Sequence, residues 1–287
     1  MAACWQEGAV PGAAAHRQRW ASDFKHSGKH MSHIHFIRMV ASIFLIAISI
    51  LPGYAQQTSE PRYKAVAFDY FVIFDPNSVV GEIEKVFPGK GMDFTKAWRA
   101  KQFEYCFLRS ITKDYEDFFK VTEDALLYTI ANMKLNVTEA QKKQLLNAYL
   151  SLKPWPDSVE GLKRLKAAGV KIITISNFSK MMLKSNADNA GITNLFDELL
   201  STEINGTYKP DPKAYELGIR HLGLKKEEIV FAAFGGWDAY GAKSFGYPTY
   251  WVNRFNLPTE KLGIQADGTS NSFQGLLDFV LSGEARH

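Results

Sequence analysis

The side chains that could do chemistry come at the ends of apolar segments that are typical of buried strands. Asp69 ends one segment, Ser176 and Asn177 end a second, and Asp238 comes shortly after a third. A loop between the last two segments adds Lys209. Since the carboxyl ends of parallel strands lie at one edge of a sheet, we expect these side chains to converge there.

Each of these residues also has an ordinary structural explanation. Asp69 could cap a turn, the Ser-Asn pair could form a turn, and Asp238 could cap the helix that follows it. Lys209 could be a solvated cation on a loop. The edge that all of them share favours a functional site over these separate explanations.

The supply of histidine and cysteine limits the chemistry. The chain has 7 His and 2 Cys, but after residue 55 only His221, His287 and Cys106 remain. A Ser-His or Cys-His pair needs a usable histidine, and His221 lies in the middle of a predicted helix. One cysteine and two histidines build neither an intrachain disulfide nor a Cys/His zinc site. Catalysis must therefore use carboxylates, lysine, arginine and hydroxyls.

Residues 31–55 have the parts of a secretory signal peptide. Arg38 precedes the almost wholly apolar run 40–51, and a small-x-small pattern ends at Ala55. We expect cleavage after Ala55 and export to the periplasm. The apolar run is short for a transmembrane helix, which needs about 20 residues, and an uncleaved membrane anchor is the alternative.

The start of translation and the charge of the exported chain depend on the same leader, residues 1–55. Residues 1–30 show no clear structural pattern, so either Met1 or Met31 could be the true start. Without the leader the formal charge falls from +4 to about +1. No dense Lys/Arg block appears, so the sequence predicts no nucleic-acid partner and, after cleavage, no membrane partner.

The order of the predicted elements indicates an α/β fold. Apolar residues recur at helix spacing from 77 to 153, and Thr138 with Gln141 forms a capping box at the last of about four helices. Helices and strands alternate afterwards, which predicts a parallel sheet with right-handed crossovers. We predict a Rossmann-like parallel-sheet core, 60–76 and 154–283, with an inserted all-helical cap domain, 77–153. The predicted core elements are helices at 158–168, 181–190, 211–222 and 239–245, strands at 170–175, 198–202, 229–234 and 249–252, and a turn at 72–78.

In their order along the chain, these residues resemble the haloacid dehalogenase superfamily and, within it, the L-2-haloacid dehalogenases. The resemblance covers residues 63–280, and several further segments resemble the family's core and cap. These segments are Phe74-Asp75 with Ser78-Val79-Val80-Gly81, Trp98-Arg99 with Lys101-Gln102 and Glu104-Tyr105, Leu108-Arg109-Ser110, Thr122-Glu123-Asp124-Ala125-Leu126, Tyr208-Lys209-Pro210-Asp211 with Tyr215, and Trp237-Asp238-Ala239 with Gly241-Ala242.

The resemblance implies a hydrolase that acts on carbon-halide bonds, an (S)-2-haloacid dehalogenase that converts short L-2-haloacids to 2-hydroxy acids. Asp69 would attack the α-carbon, expel halide and form an ester that water then hydrolyses. Lys209 would keep Asp69 ionised, while Asp238 would hold Lys209 and help activate the water. Ser176 would bind the substrate carboxylate, and Arg99 would receive the halide.

The resemblance also implies a small-molecule site that uses no metal and no cofactor. Phosphatases of the superfamily carry a second Asp two positions after the nucleophile, where this chain has Phe71, and magnesium needs several hard oxygen ligands. A homodimer is compatible with the resemblance. Aromatic residues at helical spacing usually face a core, so Phe103 and Phe118 could be core residues instead. The residues expected around the substrate are Phe71, Asn177, Phe103, Phe118, Tyr215 and Trp237.

Two segments at the site depart from the family pattern. The family follows its nucleophile with Tyr-Gly-Thr, whereas this chain has Phe71, Val72 and Ile73 in a shorter segment. Ala233 and Gly235 stand where the family shows Ser-x-Asn, so a serine that orients the nucleophile and an amide near the halide and the lysine are missing. These losses leave three alternatives: a slow or altered dehalogenase, a weakened protein that only binds a small acid, and another hydrolase of the superfamily.

Overall fold

The computed structural model describes residues 63–282, so the predicted leader at 1–55 lies outside the described residues. Within the described part, a six-stranded sheet has the order β5-β4-β1-β6-β7-β8, and every neighbouring pair is parallel. This is the α/β fold that the alternating pattern predicts. No helix in the same range is long and apolar enough to cross a membrane. In chain order the strands are β1 (Ala65–Phe68), β2 (Phe74–Asp75), β3 (Lys153–Pro154), β4 (Lys171–Ser176), β5 (Glu198–Ser201), β6 (Ile229–Ala233), β7 (Thr249–Val252) and β8 (Gly268–Ser270).

Helices alternate with the strands from β3 to β7. Gly169 has a φ of +75° just after one helix, a conformation that favours glycine and ends helices. Thr138 and Gln141 form the predicted capping box. The helices are α1 (Tyr70–Ile73), α2 (Val80–Val86), α3 (Gly91–Thr112), α4 (Phe118–Asn132), α5 (Glu139–Ala148), α6 (Ser158–Ala167), α7 (Lys180–Asn189), α8 (Pro212–Leu222), α9 (Gly236–Phe245) and α10 (Phe273–Leu281).

Strand β1 lies in the middle of the sheet, hydrogen-bonded to β4 on one side and β6 on the other. All four of its side chains are fully buried, which explains why the sequence of this strand is apolar throughout rather than alternating. The position of β1 therefore places Asp69, the residue that follows it, at the centre of the sheet's carboxyl edge.

The helical insert, α2 to α5, occupies the chain between the short strands β2 and β3. These two strands pair antiparallel, Phe74 with Pro154 and Asp75 with Lys153, so the chain leaves the core and returns to it at one place. The insert has its own apolar centre, where the fully buried ring of Trp98 packs edge-on against Tyr149 at 4.8 Å. Helices α2 to α5 fall within the range for which the sequence pattern predicts helices.

The segment predicted as a turn, 72–78, is more ordered than the sequence suggests. It forms the end of α1, then β2, then a 3-10 helix at Pro76–Val79. Two elements near the end of the described chain, β8 and α10, are absent from the sequence predictions. Both pack against β7 and so complete the far side of the sheet.

Candidate active site

A buried lysine between two carboxylates is the centre of the site. Asp69 comes directly after β1, and its backbone N–H donates to the carbonyl of Ala232 at 2.9 Å, so the sheet itself fixes its position. Lys209 Nζ lies 3.1 Å from Asp69 Oδ1 and 2.6 Å from Asp238 Oδ2. The side chains of Lys209 and Asp238 are 1% and 0% exposed, whereas that of Asp69 is 12% exposed. Asp69 is thus the member of the triad that a small molecule can reach.

Asp238 is held from the side opposite the lysine. It lies in the first turn of α9, and Tyr215 of α8 donates its hydroxyl to Asp238 Oδ1 at 2.7 Å. Tyr215, which the resemblance places around the substrate, thus bonds the carboxylate that holds Lys209. Tyr215 is fully buried behind Asp238 and is not among the residues around the cavity, so it supports the carboxylate rather than contacting a substrate.

Burial shifts the titration of this cluster. Burial raises the pKa of Asp238 to about 6, despite the opposing charge of Lys209. Burial also lowers the pKa of Lys209, but the charges of Asp238 and Asp69 outweigh it and the pKa ends above its ordinary value. At neutral pH the lysine is therefore a cation, which is the state that orients the side chain of Asp69.

Ser176 and Asn177 follow β4 and reach the same edge. The Ser176 hydroxyl accepts a hydrogen bond from the backbone N–H of Phe178 at 3.1 Å. Asn177 Oδ1 accepts the backbone N–H of Lys209 at 2.9 Å, which fixes the loop that carries the lysine. Within residues 63–282, Asn177 Nδ2 is buried without a hydrogen-bond partner. It borders the cavity beside Asp69, so the site offers a free donor to an incoming acceptor.

The cavity beside Asp69 is small and mostly aromatic. Its volume is about 10 Å³, which is room for about one water molecule. Phe118 stacks on Phe178 at 5.1 Å, and Phe71 meets the same ring edge-on at 5.3 Å. The three rings therefore fix one another's positions in the cavity wall. The residues around the cavity are Asp69, Tyr70, Phe71, Phe103, Phe118, Ser176, Asn177, Phe178, Lys209 and Trp237.

Phe103 and Phe118 belong to this cavity wall, although both were open to a core interpretation. Phe118 satisfies both descriptions, because it is fully buried in the apolar core and also borders the cavity. Phe178 and Tyr70 are wall residues that the sequence reasoning missed. The signal was available, because each directly follows a residue predicted for the site.

Arg99, like Tyr215 and Asp238, is not among the residues that line the cavity. It lies on α3, and its Nη2 donates to Asn77 Oδ1 at 2.6 Å, in the 3-10 helix at the base of the insert. Its Nε is buried and has no hydrogen-bond partner in the described part of the chain. The expected role of Arg99 at the halide therefore stays a prediction, and the contact that the structure shows for its guanidinium is the one with Asn77.

The backbone after Asp69 is fixed by side chains that are distant in sequence. The three carbonyls of the turn that departs from the family pattern, those of Phe71, Val72 and Ile73, each accept a hydrogen bond. The donors are Trp155 Nε1 at 2.9 Å, Arg254 Nη2 at 3.2 Å and the Ser158 hydroxyl at 2.9 Å, respectively. The shortened turn is thus a rigid helical turn, α1, and not a loose loop.

The residue types at this edge suit covalent chemistry better than metal binding. Phe71 points its ring into the cavity wall at the position where a second acid would stand. In residues 63–282 no group of three or more His, Cys, Asp or Glu side chains is arranged to hold a metal ion. The arrangement provides an accessible carboxylate, a cation that orients it, a second buried carboxylate and an apolar wall.

Comparison with known proteins places this geometry among hydrolases. The family model for haloacid dehalogenase-like hydrolases matches residues 63–246. The (S)-2-haloacid dehalogenase of Pseudomonas sp. (strain YL) is 38% identical over 216 residues, which cover 75% of this chain and 93% of that protein. Haloacetate dehalogenase H-2 of Moraxella sp. (strain B) is 39% identical over 209 residues, covering 72% of this chain and 93% of that protein.

Solved structures agree with the sequence comparisons. The L-2-haloacid dehalogenase from Xanthobacter autotrophicus, solved with chloropropionic acid covalently bound, superposes with a TM-score of 0.71 at 32% identity. The match covers 76% of this chain and 98% of that chain. The likeness therefore extends over nearly the whole length of that enzyme.

Proposed function

The chain belongs to the haloacid dehalogenase-like hydrolases, and from this premise we propose that it hydrolyses short L-2-haloacids to 2-hydroxy acids through an ester on Asp69. One observation carries the proposal. The buried cation of Lys209 contacts both Asp69 and Asp238, and Asp69 is the carboxylate that borders the cavity. A buried ion cluster of this kind is expensive to maintain for stability alone, which favours a catalytic purpose.

In the first step, a carboxylate oxygen of Asp69 attacks the α-carbon of the haloacid in line with the carbon-halogen bond. The new carbon-oxygen bond forms as the halogen leaves with the bonding electrons, so the configuration at the α-carbon inverts. Lys209 orients the Asp69 side chain and fixes which oxygen faces the cavity, because it already holds Oδ1 at 3.1 Å.

In the second step, water attacks the ester at the carboxyl carbon of Asp69. One water proton ends on the hydroxyl of the product, the other leaves as the acid that accompanies halide, and the water oxygen stays on Asp69. Asp238 is the base nearest to Lys209 and, when ionised, accepts the proton that activates the water.

The substrate carboxylate is the group that the strand end after β4 would bind. Asn177 Nδ2 is a buried donor without a partner among the described residues, and it borders the cavity next to Ser176. A buried donor left unpaired costs free energy, so a bound carboxylate would supply the missing acceptor. The aromatic wall would then hold the short alkyl part of the acid.

The second candidate is a weakened member of the family that binds small acids without turning them over. The observations that favour it are the missing side chains at Ala233 and Gly235 and the altered turn at Val72 and Ile73. The rigid hydrogen bonding of that turn argues for the enzyme, because it keeps Asp69 in place without the family's residues.

Halide release separates the two candidates. The purified chain is incubated with L- and D-2-chloropropionate in the absence of metal, beside an Asp69→Asn control. We expect chloride from the L-acid with the wild type and none above blank with the variant. If the wild type releases no chloride, the dehalogenase proposal fails, and equal release by both proteins would exclude Asp69 as the nucleophile.

We also propose that the leader directs export to the periplasm and is removed after Ala55. The charged residue, apolar run and small-x-small pattern of residues 31–55 support this proposal. Amino-terminal sequencing of protein recovered from a periplasmic extract should begin at Gln56. An intact leader on that protein would favour the membrane-anchor alternative.

A homodimer is the assembly that we propose in solution. Large apolar side chains are exposed on the neighbouring helices α3 and α4, among them Leu108, Ile111, Leu127 and Tyr128, at 50%, 78%, 42% and 44%. Large apolar side chains exposed on neighbouring helices are candidates for burial between two subunits. Sedimentation equilibrium should give twice the chain mass, and Ile111→Glu should shift it to the single-chain mass. A monomeric wild type would contradict the proposal.

A further inference from the structure

A second and larger hollow lies outside the active site, on the helical insert. It is an open groove of about 770 Å³ that is bordered by residues of α2 and α5, and this volume is enough for a small molecule. One end of the groove reaches the junction with the core, because Ser78 of the 3-10 helix and Lys153 of β3 also border it. The proposed reaction uses none of the residues around this groove.

The groove is positively charged. Three lysines, Lys85, Lys143 and Lys153, border it with a single acid, Glu82, so the bordering side chains carry a formal charge of +2. Lys85 already pairs with Glu82 at 2.6 Å. Neither of the other two lysines forms an ion pair with any residue in the part of the chain that the structure describes. Two cations are therefore available to an anion from solution.

Helix α5 presents polar side chains to this groove. Lys143, Gln144 and Asn147 border it and lie on one face of the helix, three and four positions apart. A helix that packs directly on a neighbour usually presents apolar residues there. Here Gln144 Nε2 donates to Glu82 Oε2 of α2 at 3.0 Å, so a hydrogen bond links the two helices beside the groove. Asn147 and the hydroxyl of Ser151 add neutral polar groups to the same border.

The remaining residues around the groove are small. Gly81, Ala140 and Ala148 border it, and a Cβ added to Gly81 would meet no atom within 4 Å. No aromatic side chain borders the groove, so nothing there would stack on a flat ring. The chemistry of the border therefore suits a compact and strongly charged molecule better than an apolar or aromatic one.

We propose that this groove binds a small non-aromatic anion that carries two or more carboxylate or phosphate groups. Lys143 and Lys153 supply the opposite charge, and Asn147 and Ser151 supply neutral hydrogen-bond donors. Hydrogen bonds from an ammonium group to an anionic oxygen are stronger than those between neutral groups. A haloacid carries only one carboxylate, so this site is for a different ligand.

The position of the groove connects it to the opening of the active site. The Ser78 hydroxyl donates to the carbonyl of Asp75 at 2.8 Å and accepts the backbone N–H of Lys153 at 3.2 Å, so it joins the two connections between insert and core. An anion bound between α5 and this junction favours the arrangement seen here, in which the cavity beside Asp69 has only about 10 Å³. This effect rests on the proposed dehalogenase function.

Calorimetry of the purified chain at constant ionic strength tests the binding. The probes are citrate and pyrophosphate, with acetate as the singly charged comparison. We expect saturable binding of a polyanion and none of acetate, and the tighter of the two probes identifies carboxylate or phosphate as the preferred group. The double variant Lys143→Gln with Lys153→Gln should weaken this binding by about 10-fold or more.

The matched control is Lys163→Gln with Lys171→Gln. It removes two exposed lysines of the core that likewise form no ion pair in residues 63–282, and it should keep the wild-type affinity. Gly81→Asp leaves every lysine in place and places a carboxylate where a side chain has room, so it should weaken binding by repulsion. No saturable binding of either probe, or an equal loss in the control, would overturn the inference.

Steady-state kinetics with L-2-chloropropionate test the effect on opening. Saturation with the tighter probe should raise KM by about 5-fold or more, the lower end of typical coupling between sites, and the rise should disappear in Lys143→Gln with Lys153→Gln. Binding with an unchanged KM would contradict the effect on opening. Calorimetry needs no turnover, so a chain that binds the probe and releases no halide would refute the proposed function and not the groove.

Discussion

Protonation of Asp238 should set the lowest pH at which the protein is active. Burial raises its pKa to about 6, and only the ionised carboxylate can hold Lys209 and activate water. Activity is therefore lost as the pH falls through that value, because protonation removes the charge. The raised pKa of Lys209 places the loss of its charge above the ordinary lysine range. A profile of kcat/KM against pH should show the acid limb, and a flat profile through that region would contradict the role of Asp238.

Tyr215→Phe should move the acid limb of the kcat/KM profile to higher pH. The hydroxyl donates to Asp238 Oδ1 at 2.7 Å and favours the ionised form, so its removal should raise the limb by about 0.5 to 1 pH unit, the equivalent of one net hydrogen bond. Tyr149→Phe removes a buried hydroxyl that bonds Gln102 in the helical insert and should leave the limb in place. Equal limbs in the wild type and Tyr215→Phe would show that Tyr215 does not tune Asp238.

At the residue scale, the strand-end side chains could be predicted because short apolar segments mark where strands stop. Parallel topology then brings Asp69, Asn177 and Asp238 to one edge. The hydrogen bond from Arg99 to Asn77 could not be predicted, because Asn77 lies in a segment that the sequence presents only as a turn. A donor and an acceptor that meet through tertiary packing leave no spacing signal along the chain.

At the element scale, the helical turn α1 should depend on side chains from outside it. Trp155→Phe keeps an aromatic ring but leaves the buried carbonyl of Phe71 without its donor. We expect the free energy of unfolding to fall by about 1 to 3 kcal/mol and kcat/KM to fall as well, because Asp69 begins this turn. Denaturant unfolding and steady-state kinetics measure the two effects.

Trp98→Phe is the matched control for this prediction. It removes an indole N–H from an equally long hydrogen bond, 2.9 Å to the carbonyl of Thr122, inside the helical insert. It should lower stability by a similar amount and leave kcat/KM near the wild-type value. If both variants lose activity in proportion to their stability, the turn has no special role in positioning Asp69.

The elements that the sequence predicted well are those with a local signal. Helices α6 to α8 and strands β4 to β7 show regular apolar periodicity, capping residues or terminal glycines, and their observed bounds lie close to the predicted ones. The turn predicted at 72–78 is wrong, because the donors that stabilise the helical turn after Asp69 lie far along the chain. Trp155 is 84 positions from Phe71, and Arg254 is 182 positions from Val72. The secondary-structure propensity of a short segment carries no information about such distant partners.

At the scale of the whole molecule, the site is nearly closed. A cavity of about 10 Å³ is smaller than any haloacid, so the substrate needs a movement of the surrounding walls before it can bind. Three walls, Phe71, Phe178 and Asp69, belong to the core, whereas Phe103 and Phe118 belong to the helical insert. Relative movement of the insert and the core is therefore the simplest way to open the cavity.

A hydrogen bond between the insert and the core should influence that opening. The Ser110 hydroxyl on α3 accepts the backbone N–H of Tyr208 at 3.1 Å, next to Lys209. Ser110→Ala should favour the open form, which the substrate can enter, and lower KM by about 2- to 10-fold, the worth of one net hydrogen bond, while kcat changes less. Steady-state kinetics with L-2-chloropropionate measure both constants, and an unchanged KM would argue against a gating contact here.

The most direct test of the account follows the oxygen atom during a single turnover. Excess enzyme is mixed with L-2-chloropropionate in water labelled with heavy oxygen, and both the product and the peptide that contains Asp69 are weighed by mass spectrometry. An ester on Asp69 predicts an unlabelled lactate and a labelled Asp69, because water attacks the carboxyl carbon and the hydroxyl oxygen comes from the enzyme. A labelled lactate with an unlabelled Asp69 would show direct attack by water and contradict the central claim.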